Sequence, residues 1–223
     1  MQWRFYGPDA VLIQFGERIG NEAFECSRAL IAELEANPPP GLIEFVPAFT
    51  TLLLEFDPAL AQDLNGIVSC WIDRFATPAA HPLPQARLHE IPVVYDGPDL
   101  DHVAEAHKLS SEEVCRLHSE PVYKVYFLGF APGFPYLGDL DPRLHTSRRA
   151  VPRTRIPVGS VAIGGEHTGI YPVESPGGWN VIGHTPIVLF DPSRRASDHH
   201  EAGAFLLRAG DRVKFLPAAR STS

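Results

Sequence analysis

Apolar and polar positions follow two different rhythms along this chain. Up to about residue 76 the period switches between 2 and 3.6. Trp3 to Tyr6 and Ala10 to Phe15 read as strands joined by a Gly7-Pro8-Asp9 turn. Asn21, a candidate cap, then precedes Phe24, Ser27, Ile31 and Leu34 at helical spacing, until "NPPPG" stops the pattern. "LIEFVP" and "TLLLEF" return to the strand rhythm. Asp57-Pro58 is placed to open a second helix, because an aspartate accepts orphan amide bonds and proline suits the first helical position. Its apolar stripe is Leu60, Leu64, Ile67, Trp71 and Phe75. Two strand pairs, each followed by an amphipathic helix, predict an α+β sandwich, ferredoxin-like in outline, with both helices on one face of an antiparallel sheet.

The segment "ATPAAHPLPQA", residues 76 to 86, has three prolines and no periodicity, so it reads as a linker. It divides the chain into an N-terminal α/β domain (1–78) and a second domain (79–223). "RLHEIPVVYDG" opens the second domain as a strand and turn. Asp99 to about His118 is helical, with Ser110 and Glu113 spaced as a capping box. From Val122 onward, short apolar runs ("VYKVYF", "VGSVAIGG", "GIYPV", "WNVIG", "PIVLF", "DRVKFL") alternate with Gly and Pro turns, the pattern of a closed or nearly closed β-barrel.

Composition narrows the function classes. The 223 residues are 44% hydrophobic and 21% charged, enough for a sizeable core in one large or two small domains. No apolar run is long enough to span a bilayer, and the start lacks a secretory pattern, so the expectation is a soluble cytoplasmic protein with no membrane role. A net charge of -8 argues against a nucleic-acid partner. Cys26, Cys70 and Cys115 are odd in number and lack CxxC spacing, and they read as buried thiols.

Four segments depart from generic barrel composition: 129–138, 143–160, 164–172 and 174–185. Their Gly-Pro alternation shapes loops that can present backbone amides to an anion, walled by Phe130, Phe134, Tyr136, Tyr171 and Trp179. The same residues also suit barrel corners and core filling. Arg143, Arg148, Arg149, Arg153 and Arg155 fall within thirteen residues of an otherwise acidic chain. Guanidinium forks match carboxylate or phosphate, although such a cluster also suits a solvated stripe. The candidate substrate-binding set is therefore Gly129, Phe130, Gly133, Phe134, Arg153, Arg155, Ser160, Thr168, Tyr171, Ser175, Gly177, Gly178 and Trp179. Candidate acid-base residues are His118, His184 and Glu166, with His145 and His167 behind them. There is no phosphate loop, no GxSxG elbow and no HExxH, and His199-His200 lacks further ligands at metal spacing. The expected metal set is empty, and the chain reads as a binding half-site for a small anionic or amide substrate.

The series "YKVYFLGFAPGFPYLGDL", "PRTRIPVGSVAIGGEHTGIYPVESPGGWNVIGHTP" and "LRAGDRVKF" resembles the family that includes the B-type component of 5-oxoprolinase, allophanate hydrolase subunit 1 and the kinase inhibitor KipI. "EFVPAFTTLLLEFDP" and "IPVVYDGPDL" extend the resemblance over nearly the whole chain. It implies a ferredoxin-like domain followed by a cyclophilin-like β-barrel, and a heteromeric complex with a C-type (allophanate hydrolase subunit 2) protein. One implied activity is ATP-dependent hydrolysis of 5-oxo-L-proline to glutamate with an A-type lactam-utilisation protein, with ATP and Mg acting in the complex. A second is carboxyl transfer from biotin carried on another chain. A third is inhibition of a sensor histidine kinase. The sequence departs from many relatives at "HTG" and "GHT", which bears on His167 and His184.

Overall fold

The structure is a computed structural model that describes residues 1–61, 63–76, 85–194 and 203–219, with only the backbone of 73–76. The expected linker falls mostly on 77–84, and His199-His200 on 195–202, outside the described residues. The chain packs as two compact units, Met1–Gln85 and Ala86–Ser223.

In the first unit, β1 (Gln2–Phe5), β2 (Ala10–Gln14), β3 (Leu42–Pro47) and β4 (Thr51–Phe56) form an antiparallel sheet in the order β1-β2-β4-β3. With α1 (Asn21–Ala36) and α2 (Leu64–Ala76) the element order is ββαββα. Alternate residues of the two central strands, Val11 and Ile13 with Leu52, Leu54 and Phe56, meet Leu30 and Leu34 of α1 and Leu64 and Val68 of α2 in one core. Both helices thus cover the same face, as the period-2 and period-3.6 patterns require.

Two helix starts differ from the sequence expectation. Asn21 is the first helical residue, and Gly20 holds the cap position without a side-chain bond. Asp57 closes only a single turn, its carboxylate accepting from the Ala59 amide at 2.8 Å. The helix itself starts at Leu64, where Asp63 accepts from the Gly66 amide at 2.9 Å. Leu60, expected in the apolar stripe, is 66% exposed for that reason. Cys26 and Cys70 are exposed and not buried, since they occupy the solvent sides of α1 and α2. Cys115 is half-buried, and burial pushes its thiol up to about 11.

The second unit is built on seven strands: β5 (Leu88–Val93), β6 (Val122–Leu128), β7 (Pro135–Gly138), β9 (Ser160–Gly164), β10 (His167–Ile170), β12 (Asn180–His184) and β13 (Arg212–Pro217). Their order is β12-β9-β10-β7-β6-β13-β5, antiparallel throughout except for the parallel β13-β5 pair. β8 (Arg153–Ile156) and β11 (Ser175–Gly177) form a separate two-stranded ribbon.

The large sheet curls until its two edges meet. Val94, just after β5, exchanges both backbone hydrogen bonds with His184 of β12 at 2.9 Å. The Gly97 and Asp99 amides continue the seam to the Ile182 and Val181 carbonyls at 3.1 and 2.9 Å. Gly97 is obligatory there, because a Cβ would collide with the Ile182 carbonyl carbon and the Val181 oxygen.

The barrel is not all β. α3 (Leu100–His107) and α4 (Ser111–Ser119) send Val103, Val114 and Leu117 into the same core as Val125, Val161, Ile163, Ile182 and Phe215. The Ser110–Glu113 capping box is present, with Ser110 Oγ accepting from the Glu113 amide at 3.2 Å and Glu113 Oε2 from the Ser110 amide at 3.0 Å. Side chains therefore fill the interior, and any site on this unit must lie on its outside. "PIVLF" is loop rather than strand, joined to the rest by a Phe190–Phe205 bridge.

Candidate functional site

Glycines in β7, β9, β10 and β11 allow aromatic rings to lie flat against the outer wall. A Cβ at Gly164 would sit 2.5 Å from the Trp179 ring, and one at Gly169 would sit 2.9 Å from the Phe134 ring. At Gly177 it would strike the Tyr171 hydroxyl. Phe134, Tyr171 and Trp179 are 1%, 1% and 5% exposed, so these candidate substrate walls are packed against one another. Phe134 meets Tyr171 and Trp179 edge-on at 5.1 and 5.3 Å, and Tyr136 meets Trp179 at 5.8 Å. Each such pair adds roughly 0.5–1.5 kcal/mol beyond area burial.

Phe130 is the exception among the wall aromatics. It is 63% exposed at a positive φ of 69°, standing edge-on to Phe134 at 5.5 Å. With Gly129, Ala131, Pro132, Gly133 and Phe205 it lines an open groove of about 420 Å³. Segment 127–138 is thus a hairpin whose tip forms a groove and whose stem supports the aromatic layer.

The five arginines of 143–155 are not equivalent. Asp99 is 2% exposed and accepts from Arg149 at 2.6 Å, from both terminal nitrogens of Arg153 at 2.6 and 2.8 Å, and from the Val181 amide at 2.7 Å. Burial pushes this carboxyl upward, but the hydrogen bonds from Arg153 and Val181 and the two positive charges outweigh it, holding the group below its usual range. Arg155 pairs with Glu174 at 2.5 Å, and Arg143 with Asp141 at 2.6 Å.

Arg153 and Arg155, expected to bind an anion, are therefore already tied to carboxylates within the chain. Arg148 is exposed and has no carboxylate partner among the described residues; its guanidinium lies over the Trp179 ring, 5.9 Å from the centroid. In the sequence Asp99 stands only at the start of the helical stretch, where the N-cap of α3 falls. It holds that position, yet makes no capping bond, its oxygens being used by the arginines.

The candidate acid-base residues do not converge. His118 is completely buried: Nδ1 lies 2.8 Å from the Tyr95 hydroxyl and Nε2 lies 2.8 Å from Thr168 Oγ1. Thr168 in turn donates to the Ala162 carbonyl at 3.0 Å, so its oxygen accepts from Nε2–H, and Nδ1 accepts from Tyr95. Burial lowers His118 to about 3. It is a neutral core residue with both nitrogens occupied, which corrects its reading as an acid-base group and that of Thr168 as a substrate contact.

His184 is exposed and pairs with Asp96 at 2.8 Å. It lies opposite Ser160 at one end of β9, whereas exposed Glu166 follows Gly164 at the other. Ser160 and Gly164 are four strand steps, about 13 Å, apart along β9, so the two residues stand at opposite ends of that strand. Ser160 is 4% exposed, and Gly178 merely accepts the Arg149 amide at 2.7 Å. The Oγ of Ser175 is buried without a hydrogen-bond partner. No cluster of three or more possible metal ligands exists among the described residues, and no described helix is long and apolar enough to cross a membrane.

A glycine-seated aromatic layer on the outside of a curled sheet, with an exposed arginine over it, is the arrangement to set beside known proteins. Residues 1–199 match the family model for the carboxyltransferase domain, subdomain C and D. The chain belongs to this family. It is 41% identical to the B subunit of 5-oxoprolinase from Bacillus subtilis (strain 168) over 94% of this chain and 90% of that protein. It is 45% identical to the B subunit of 5-oxoprolinase from Escherichia coli O157:H7 over 80% of this chain and 79% of that one. The crystal structure of TTHA0988 superposes with a TM-score of 0.81 at 42% identity, covering 96% of this chain. This chain spans only 40% of TTHA0988.

Proposed function

We propose that this carboxyltransferase-family chain is the B component of a heteromeric, ATP-dependent 5-oxoprolinase. In that complex it works with a C-type protein and an A-type lactam-utilisation protein to hydrolyse 5-oxo-L-proline to L-glutamate. The observation that carries this reading is the 41% identity to the Bacillus subtilis relative, which extends over 94% of this chain and 90% of that one.

The geometry supports a dependent role. The candidate acid-base residues are buried or stand at opposite ends of β9, and the interior is filled, so the chain offers a binding wall that another polypeptide completes. ATP and its Mg belong to the complex, where they activate the lactam for ring opening. In the same reading the first unit is a permuted ferredoxin-like domain, the second is cyclophilin-like, and the complex is cytoplasmic.

Co-expression with the A- and C-type proteins tests this. The complex consumes 5-oxoproline and ATP together, whereas this chain alone consumes neither. Turnover without ATP, or none in any combination, would exclude the reading. A carboxyltransferase role, the second reading, rests on the matched family's description. It predicts avidin-sensitive turnover with a biotinylated carrier and is excluded if avidin has no effect.

A further inference from the structure

We propose that Arg148, lying over Trp179, is the carboxylate-binding residue of this chain, and that the edge of the aromatic layer beside it receives the ring of a small cyclic amide acid. The choice of 5-oxoproline as that acid rests on the proposed function; the carboxylate site does not.

Charge accounting singles out Arg148. Of the five arginines in 143–155, four are held by Asp99, Asp141 or Glu174. Arg148 has no carboxylate partner among the described residues, so its fork is available to an incoming anion. A bidentate guanidinium–carboxylate pair is the strong form of such a contact.

The backbone on both sides of Arg148 is strapped to the bend between β11 and β12 that carries Trp179. Asn180 Nδ2 donates to the Ser147 carbonyl at 2.9 Å, and the Arg149 amide donates to the Gly178 carbonyl at 2.7 Å. Arg149 is anchored further by Asp99 at 2.6 Å. Residues 147–149 therefore run alongside 178–180 and present the guanidinium over the indole. Trp179 is itself immobilised, because Gly164 leaves room for its ring and Phe134 and Tyr136 brace it edge-on. Arginine side chains lose much rotamer freedom on binding, and a pre-positioned one loses less.

The surroundings fit an amide acid better than a phosphate. The guanidinium of Arg148 lies over Trp179, and its charge reaches Tyr136 and Tyr171, so the cation stands beside aromatic side chains. Arg149 and Arg153 share one carboxylate and turn inward. A single fork beside apolar ring surface matches one carboxylate on a small, largely apolar ring.

The test uses the assembled complex. Isothermal titration measures binding of 5-oxoproline and of 2-pyrrolidinone, which has the same ring without the carboxylate, to wild type, Arg148→Lys and Arg148→Met. Steady-state kinetics are run in parallel. Wild type should prefer 5-oxoproline, and Arg148→Met should weaken it by roughly 10- to 100-fold. Arg148→Lys should recover part of that loss. Affinity for 2-pyrrolidinone, KM for ATP and the unfolding midpoint should stay unchanged.

If Arg148→Met binds and turns over 5-oxoproline like wild type, the site assignment is overturned while the proposed function stands. If wild type binds 5-oxoproline through Arg148 without hydrolysing it, the site stands and the proposed function falls. If wild type binds neither compound, the assignment to a cyclic amide acid is wrong.

Discussion

Replacing Asp99 by asparagine probes a buried charge with four hydrogen bonds. The carboxylate is 3% exposed at its side chain and bonds two guanidiniums and the Val181 amide. Asparagine keeps one acceptor oxygen and loses the charge, leaving two cations facing each other without a counter-ion. Removing one partner of a fully buried ion pair costs about 3–5 kcal/mol. Arg149 and Arg153 stay 34% and 27% exposed, so water recovers part of this, and about 2–4 kcal/mol is expected at pH 7.

With a urea m-value of about 2 kcal/mol/M, the midpoint should fall by roughly 1–2 M. Hydrogen exchange of peptides within 86–219 reads the second unit separately. Because the folded-state pKa of Asp99 lies below its unfolded value, its contribution is complete above about pH 4 and is lost as pH falls through the folded value. The gap between wild type and variant should therefore hold from pH 7 to about 4 and narrow below that. A variant within about 0.5 kcal/mol of wild type at pH 7, or a gap unchanged at pH 2, would refute the argument.

Other perturbations separate packing from chemistry. His118 is lowered to about 3 by burial, against about 6.5 unfolded, so its contribution is complete above about pH 6.5. It is lost at up to about 1.4 kcal/mol per pH unit as pH falls toward 3. His118→Gln should remove that slope in unfolding curves collected across the range, and an unchanged slope would place the titration elsewhere. Gly97→Ala should cost several kcal/mol by opening the barrel seam, whereas Gly178→Ala, whose Cβ would meet nothing closer than 3.7 Å, should stay within about 0.5 kcal/mol. Equal thermal shifts for the two would contradict the seam. Among the thiols, Cys26 and Cys70 should react with a disulfide reagent quickly at pH 8 and Cys115 slowly, read as two fast equivalents followed by one slow; three equal rates would contradict the burial of Cys115. Arg153→Ala should destabilise the second unit by about 1–3 kcal/mol, because it removes two of the hydrogen bonds to Asp99; unaltered stability would return Arg153 to the substrate side.

Local order fixed much of this protein before any fold existed. The strand and helix periods of residues 2–76, the Ser110–Glu113 capping box and the short barrel strands are each encoded within a few residues of themselves. The glycine-aromatic signature also carried the family. Local order misplaced the start of α2, where Asp57-Pro58 and Asp63 are both competent openings and the sheet core at Leu64 and Val68 decided between them. It also misjudged the thiols, whose helix faces are settled by packing.

What only the tertiary structure decided is which polar groups are already occupied. Asp99 and Arg153 lie 54 positions apart, and His118 and Thr168 lie 50 apart. No periodicity records such pairings, so five similar arginines and several similar histidines look equivalent in the sequence. Curling the sheet until Val94 meets His184 carries His118 into the core, sends Arg153 to Asp99, and leaves Arg148 over Trp179. A charge becomes available for binding only when the fold has left it without an internal partner, and that is a property of three-dimensional neighbours.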